Sequence, residues 1–147
     1  MNVMSTLRIR SYTQSDYEAI VKLYKDTEMP GSEFDLNRDS EERLANRIKG
    51  DPDSIILGEV DDQLVGSVSL IEDGRVAWLF RFRVREDIDN EEEVAQQLLA
   101  KSVEVLKSKG HKQILVYTTV DEAKFKERYI NLGFSQGHDY TCFWKDI

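Results

Sequence analysis

Residues 75–99 read RVAWLFRFRVREDIDNEEEVAQQLL, and two periodicities within them decide the fold. In the first part Phe80, Phe82 and Val84 share one face of an extended chain while Arg81, Arg83 and Arg85 share the other, the alternation of a strand. From about Glu91 the period changes. Ala95, Leu98, Leu99, Ser102 and Leu106 then form one helical stripe, which runs to Lys109 and is ended by Gly110. Residues 113–118 (QILVYT) have the apolar run of a buried strand. TVDE at 119–122 reads as a capping box opening a last helix, with Phe125, Tyr129 and Leu132 at helical spacing. A strand–helix–strand–helix unit therefore spans residues 75–133.

Working outward, residues 54–60, 64–71 and 75–84 are three strands joined at Asp61-Asp62 and Glu72-Asp73-Gly74, an antiparallel meander. Leu7–Ser11 alternates like a half-buried strand. Thr13 caps a helix with Asp16 at its third position, and Tyr17, Ile20, Val21 and Tyr24 lie on that helix's inner face. Residues 27–38, with Pro30 and Gly31, read as a loop. A short helix follows Asp39 or Ser40, burying Leu44 and Ile48 and ending at Gly50. Gly133 stops the last helix and residues 140–144 (YTCFW) supply a final strand. The fold class is α/β in mixed α+β form, a mostly antiparallel sheet of about six to seven strands flanked by about four helices, in one domain over residues 1–147.

Composition narrows the function classes. A chain with 40% apolar and 33% charged residues encloses a core yet stays soluble. Its net charge of -8 argues against non-specific nucleic-acid binding and suits cationic partners such as amines. No apolar run approaches the ~18 residues of a membrane span, so no membrane partner is expected. The opening residues lack the apolar core of a signal peptide, and the single cysteine excludes an internal disulfide; both point to the cytoplasm. Cys142, with no histidine near it in sequence, reads as a small buried hydrophobe rather than a nucleophile. His111 and His138 lack companion ligands, so no metal site is expected.

The element order from Leu7 onward, the opening LRIRSYTQSDYEAIVKLY at 7–24 and RYINLGF at 128–134 resemble the GNAT acyltransferase superfamily over nearly the whole chain. The resemblance implies a GNAT-like fold and an N-acetyltransferase that moves an acetyl group from acetyl-CoA to a small-molecule or peptide amine by direct attack. That chemistry needs backbone N–H groups for the pyrophosphate, a donor for the thioester oxyanion, a neutral amine and a proton for the departing thiolate. Tyr129 matches the tyrosine that in many members protonates the CoA sulfur, and a phenol titrating near ~10 keeps its proton at neutral pH. Its other reading is a core aromatic beside Phe125 and Leu132. The backbone at Phe82 and Val84 matches the splayed strand end that receives the pantetheine arm. Glu28, Glu33 and Asp35 lie in the loop that borders the acceptor site in the family. Glu28 and Glu33 are the candidates for holding or deprotonating the amine, against the alternative of solvated loop acids. The oligomeric state is open, a homodimer included.

The resemblance assigns the pyrophosphate to Asn90, Glu91, Glu92, Glu93, Val94 and Ala95, with Gln96 following, and there this chain departs from its family. Only Ala95 fits the family's pattern; Asn90 replaces a glutamine or arginine, Glu93 replaces a glycine, and Glu91 occupies another position that is commonly glycine. Six of the eight residues from Glu86 to Glu93 are acidic. Each like-charge pair ~5 Å apart in water costs on the order of 0.8 kcal/mol, so three screened pairs weaken binding ~10-fold to 100-fold. The alternative account of NEEE is local: Asn90 as N-cap, Glu93 as capping-box acid and three acids complementing the helix dipole. Arg83, Arg85 and Lys126 are the cations available to offset the glutamates. Trp78 stands where some members carry a glutamate base, and Glu122 stands near the place of an asparagine common in the family. The FRFRVR arginines otherwise read as a solvated or ion-paired sheet face. The rival to an enzyme is a catalytically inactive GNAT-like module that binds a partner without using acetyl-CoA.

Overall fold

The computed structural model describes residues 6–147, which divide into two compact units, one ending at Val116 and the other Tyr117–Ile147. In the first unit the chain runs β1 (Leu7–Ser11), a 3-10 turn (Gln14–Asp16), α1 (Tyr17–Asp26), α2 (Leu36–Asp39), α3 (Glu41–Gly50), β2 (Ile55–Val60), β3 (Gln63–Glu72), β4 (Ala77–Val84) and α4 (Glu91–Ser108). The four strands form an antiparallel sheet in the order β1-β2-β3-β4. Asp61 and Asp62, at φ 51° and 63°, make the tight β2–β3 turn that suits strand twist. The Asp73 carboxylate organises the next turn by accepting from the Arg75 and Val76 amides at 2.9 and 3.1 Å.

Both faces of the sheet are covered, so β2 reads as a continuous apolar run rather than an alternating one. On one face Tyr12, Ile20, Tyr24, Leu44, Ile55 and Leu57 form a core shared by α1, α3 and β2. On the other, Val94 and Leu98 of α4 reach down to Gly58 and Gly66. A Cβ on Gly66 would stand 2.9 Å from both Val94 Cγ1 and Leu98 Cδ1 and 3.0 Å from the Arg83 carbonyl, so the absent side chain is what lets α4 sit this close.

Ser40 caps α3 by accepting from the Arg43 amide at 3.2 Å, and the Thr13–Asp16 capping box forms as its residues require. Leu23 joins Ile20 and Tyr24 in the buried face of α1, where the sequence pattern had suggested Val21. The 27–38 segment contains one helical turn, α2, started by Asp35, whose side chain accepts from the Asn37 amide at 2.7 Å.

Among the described residues regular strand content is lower than the sequence pattern implied, at four strands plus one bridge. Leu115 makes a single parallel bridge to Trp78, with the Leu79 amide donating to the Leu115 carbonyl and the Leu115 amide to the Ala77 carbonyl, both at 2.9 Å. Residues 140–144 form no ladder among the described residues, and Cys142 is exposed rather than buried. Alternation marks a segment suited to a strand, but a strand exists only where a neighbour's backbone completes it.

The second unit contains α5 (Ala123–Asn131). Its N-cap is Glu122, without a side-chain cap bond; the expected Thr119–Glu122 box is replaced by a backbone turn in which the Glu122 amide donates to the Thr119 carbonyl at 3.2 Å. At its other end Gly133 takes φ 96°, the Phe134 amide donates to the Tyr129 carbonyl at 2.9 Å and the Gly133 amide to the Ile130 carbonyl at 3.0 Å. That is a Schellman cap, and the Tyr129 and Phe134 rings meet edge to face with centroids 5.8 Å apart. No helix of the described residues is long and apolar enough to cross a membrane.

Candidate active site

Between residues 80 and 83 the β3–β4 register slips. Ser69 pairs with Phe80 and Ser67 with Arg83, so β4 carries one more residue than its partner across this step. The slip is centred on Arg81, whose φ of 52° lies in the left-handed region that an arginine rarely enters. Past the bulge Phe82 and Val84 are buried, and the Arg85 amide donates to the Val65 carbonyl at 2.8 Å. The bulge thus redirects β4 immediately before the 82–84 segment and three residues beyond the bridge at Trp78.

Arg81 and Arg83 are 4% and 2% exposed and both reach Ser32, a buried polar cluster rather than a solvated stripe. Arg81 holds Asp39 through Nε to Oδ1 at 3.1 Å and Nη2 to Oδ2 at 2.7 Å, and its Nη1 donates to the Ser32 carbonyl at 2.8 Å and hydroxyl at 3.1 Å. Arg83 Nη2 also donates to the Ser32 carbonyl, and to the Ser32 hydroxyl at 2.7 Å. Arg85 turns elsewhere, to Asp26 at 2.8 Å and the Leu64 carbonyl at 3.1 Å. Beneath this cluster the Tyr24 phenol is pushed up to about 12 by burial, the neighbouring Ser69 and Ser67 hydroxyls opposing the shift.

At the start of α4 the local account of NEEE is realised in part: Asn90 is the N-cap residue and Glu91, Glu92 and Glu93 fill the first turn. Asn90 occupies the N-cap position with φ -110° and ψ 33° and makes no side-chain cap bond. The Val94 amide donates to the Asn90 carbonyl at 3.0 Å as the first helical bond, and the amides of Glu92 and Glu93 precede it. Val94 and Ala95 are buried, whereas Glu92, Glu93 and Gln96 are exposed. Glu91 is half-buried; the features here that suit an anion are the amides at a helix start, the solvent exposure of Glu92 and Glu93, and the seating of the helix on Gly66.

The acceptor-side acids brace their own loop. Exposed Glu28 accepts from the Phe34 amide at 3.3 Å and exposed Glu33 from the Gly31 amide at 3.2 Å. Around them Gly31, Glu33, Phe34, Asp35, Leu36 and Arg38 line a cleft of about 460 Å³. Tyr129 is half-buried on α5 of the second unit. Asp39, Ser32 and the inward Arg81 were missed from sequence. The available signal was an arginine flanked by phenylalanines in a strand otherwise buried, since arginine goes inside only with a partner.

The Acetyltransferase (GNAT) domain family model matches residues 9–142. The chain belongs to the GNAT acetyltransferase family. Its domain is an acetyltransferase domain. Similar solved folds include the PaiA N-acetyltransferase from Thermoplasma acidophilum in complex with coenzyme A, 19% identical over 88% of this chain and 90% of that one, with a TM-score of 0.74. The aminoglycoside N-acetyltransferase AAC(6')-Iy, in complex with the bisubstrate analog CoA-S-monomethyl-acetylneamine, is 18% identical over 97% and 100% of the two chains, TM-score 0.76. Ard1 from Thermoplasma volcanium is 15% identical over 90% and 84%, TM-score 0.70. No curated protein matches the chain in sequence.

Proposed function

We propose that this GNAT enzyme acetylates a primary amine by direct attack, with both units acting as one domain, Tyr129 as general acid and the acceptor bound against the 27–38 loop. The observation that carries the reading is the bulge at Arg81, which sets off the 82–84 backbone where the family receives the pantetheine arm. Within the Asn90–Gln96 stretch, the Glu92 and Glu93 amides, which precede the first helical bond of α4, take the pyrophosphate. The amine nitrogen forms the new C–N bond as the C–S bond breaks, the bonding pair leaving with sulfur. The Tyr129 hydroxyl supplies the proton for that thiolate and is reprotonated from solvent. The surplus proton of the amine leaves to solvent through water held by Glu28 or Glu33, both of which are exposed, Glu33 in the lining of the cleft. Neighbouring folds include enzymes acting on aminoglycosides, so the class of acceptor favoured by this acidic loop is a polycationic amine.

Calorimetric titration with acetyl-CoA, followed by thiol-release assays on neamine, spermidine and a lysine peptide, tests this. Micromolar binding and turnover of one of these amines is expected. Absence of heat at millimolar acetyl-CoA, from protein shown to be folded, would favour the second reading, an inactive module. The observation behind that reading is Glu91 and Glu93 standing where the family carries glycine.

A further inference from the structure

One side chain, Arg81, reaches both ends of the cleft-lining segment between Gly31 and Arg38, and Arg83 shares its hold on Ser32 at the near end. Arg81 grips Ser32 at the near end through its carbonyl and hydroxyl, and Asp39 at the far end through a two-point fork. Asp39 is 1% exposed and extends the anchorage: its Oδ2 accepts from the Asp35 amide at 2.9 Å and its carbonyl accepts from the Tyr17 hydroxyl at 3.0 Å. The guanidinium is further held over the Phe80 ring, 4.9 Å from its centroid, and near the Tyr24 ring at 5.7 Å. The same arginine is the residue that takes the left-handed conformation in the bulge. An unfavourable backbone geometry persists only where surrounding contacts over-determine it, and here the hydrogen bonds among those contacts lead to Ser32 and Asp39. Buried ion pairs are poor sources of stability compared with apolar pairs of the same size, and their better-attested use is to specify one arrangement.

We propose that Arg81 is a positioning residue for the acceptor: through Ser32 and Asp39 it fixes the shape of the 31–38 cleft and couples that cleft to the bulge preceding the 82–84 segment. The inference rests on the reading of this loop as the acceptor side. Arg81→Met with Asp39→Leu removes both charges together and leaves neither buried alone, while Arg81→Lys keeps the charge and loses the fork. Amide exchange over residues 31–38, the acetyl-CoA Kd and the KM and kcat with spermidine as probe are measured for each. In the apolar pair variant exchange over 31–38 rises at least tenfold and KM for spermidine at least tenfold, a larger change than in the acetyl-CoA Kd. Arg81→Lys is expected to melt near the wild type while KM stays raised, which a charge-balancing role would not give. Unchanged exchange and KM, or a loss confined to kcat or to acetyl-CoA binding, overturns the proposal. Failure of the wild-type protein to bind acetyl-CoA or to acetylate spermidine would instead count against the proposed function. In that event unchanged exchange in the variants still sinks the anchoring role and raised exchange sustains it.

Discussion

Gly66→Ala places a methyl group under α4 where no room exists. The added carbon would meet the ends of Val94 and Leu98 at 2.9 Å and the Arg83 carbonyl at 3.0 Å. Val94 and Leu98 are fully buried, and the third neighbour is backbone beside the bulge, so neither side yields by a simple side-chain swing. Overpacking of this kind costs about 1–3 kcal/mol. For a chain of this size that lowers Tm by roughly 3–10 °C. Gly58→Ala is the internal control, because its added carbon meets Ile9 and Val94 at 3.5 Å and Leu98 at 3.7 Å, ordinary contacts. It should fall within about 1 kcal/mol of the wild type, since alanine in a strand recovers part of glycine's entropic penalty. The consequence extends to function. Val94 belongs to the first turn of α4, so a helix lifted from the sheet carries the Glu92 and Glu93 amides with it, and acetyl-CoA affinity should drop severalfold for Gly66→Ala only. Urea unfolding and calorimetry on both variants measure this. Equal stability of Gly66→Ala and Gly58→Ala would refute the claim that glycine at 66 sets the height of α4.

Tyr129→Phe should lower turnover at least tenfold at unchanged acetyl-CoA Kd, read from steady-state kinetics and calorimetry; equal turnover would remove the hydroxyl from the mechanism. Glu92→Gln with Glu93→Gln should tighten acetyl-CoA binding about three- to tenfold at low salt and less than twofold at 0.5 M salt (roughly a 4 Å screening length), and a salt-independent change would exclude charge as the cause. The Arg10 guanidinium, hydrogen-bonded at 2.7 and 2.8 Å, holds the Asp16 carboxyl at about 2, with the Thr13 amide and hydroxyl assisting against burial. A folded-state value below that of the unfolded chain, ~3.9, means this stabilisation is present above pH 4 and lost as pH falls towards 2. Asp16→Asn should therefore flatten the dependence of the urea midpoint on pH between 4 and 2, and an unaltered slope would show that other carboxylates set the acid limb.

The elements made by local rules were legible. The meander follows from alternation and from turn residues such as Asp61 and Asp62, and the span of α4 follows from its stripe and Gly110. What escaped reading depended on groups distant in sequence. Strict alternation across 80–85 predicts one arginine face, and Arg81 and Arg83 do meet at Ser32, but no local pattern announces the bulge at Arg81 or the burial of that face. Asp39 looked like a helix-start residue, and its partner lies 42 positions away. NEEE carries every local mark of a self-sufficient cap, yet the Asn90 side chain makes no cap bond. Composition there described what the helix start tolerates, whereas the backbone geometry describes what it can offer an anion.

The YINLGF stretch shows how a family signature and a local folding rule coincide. Gly133 must adopt φ 96° to end α5, which places Phe134 over the turn that begins at Tyr129. An apolar side chain at 129 suits the cap, whose hydrophobic contact the Tyr129 ring makes. Phenylalanine would serve the cap equally, because the edge-to-face contact uses the ring alone. The cap thus accounts for the spacing of the motif and for its glycine. Tyr129→Phe therefore keeps the part of the motif that folding needs and removes only the oxygen, so its effect on turnover tests the proposed general acid apart from the helix end.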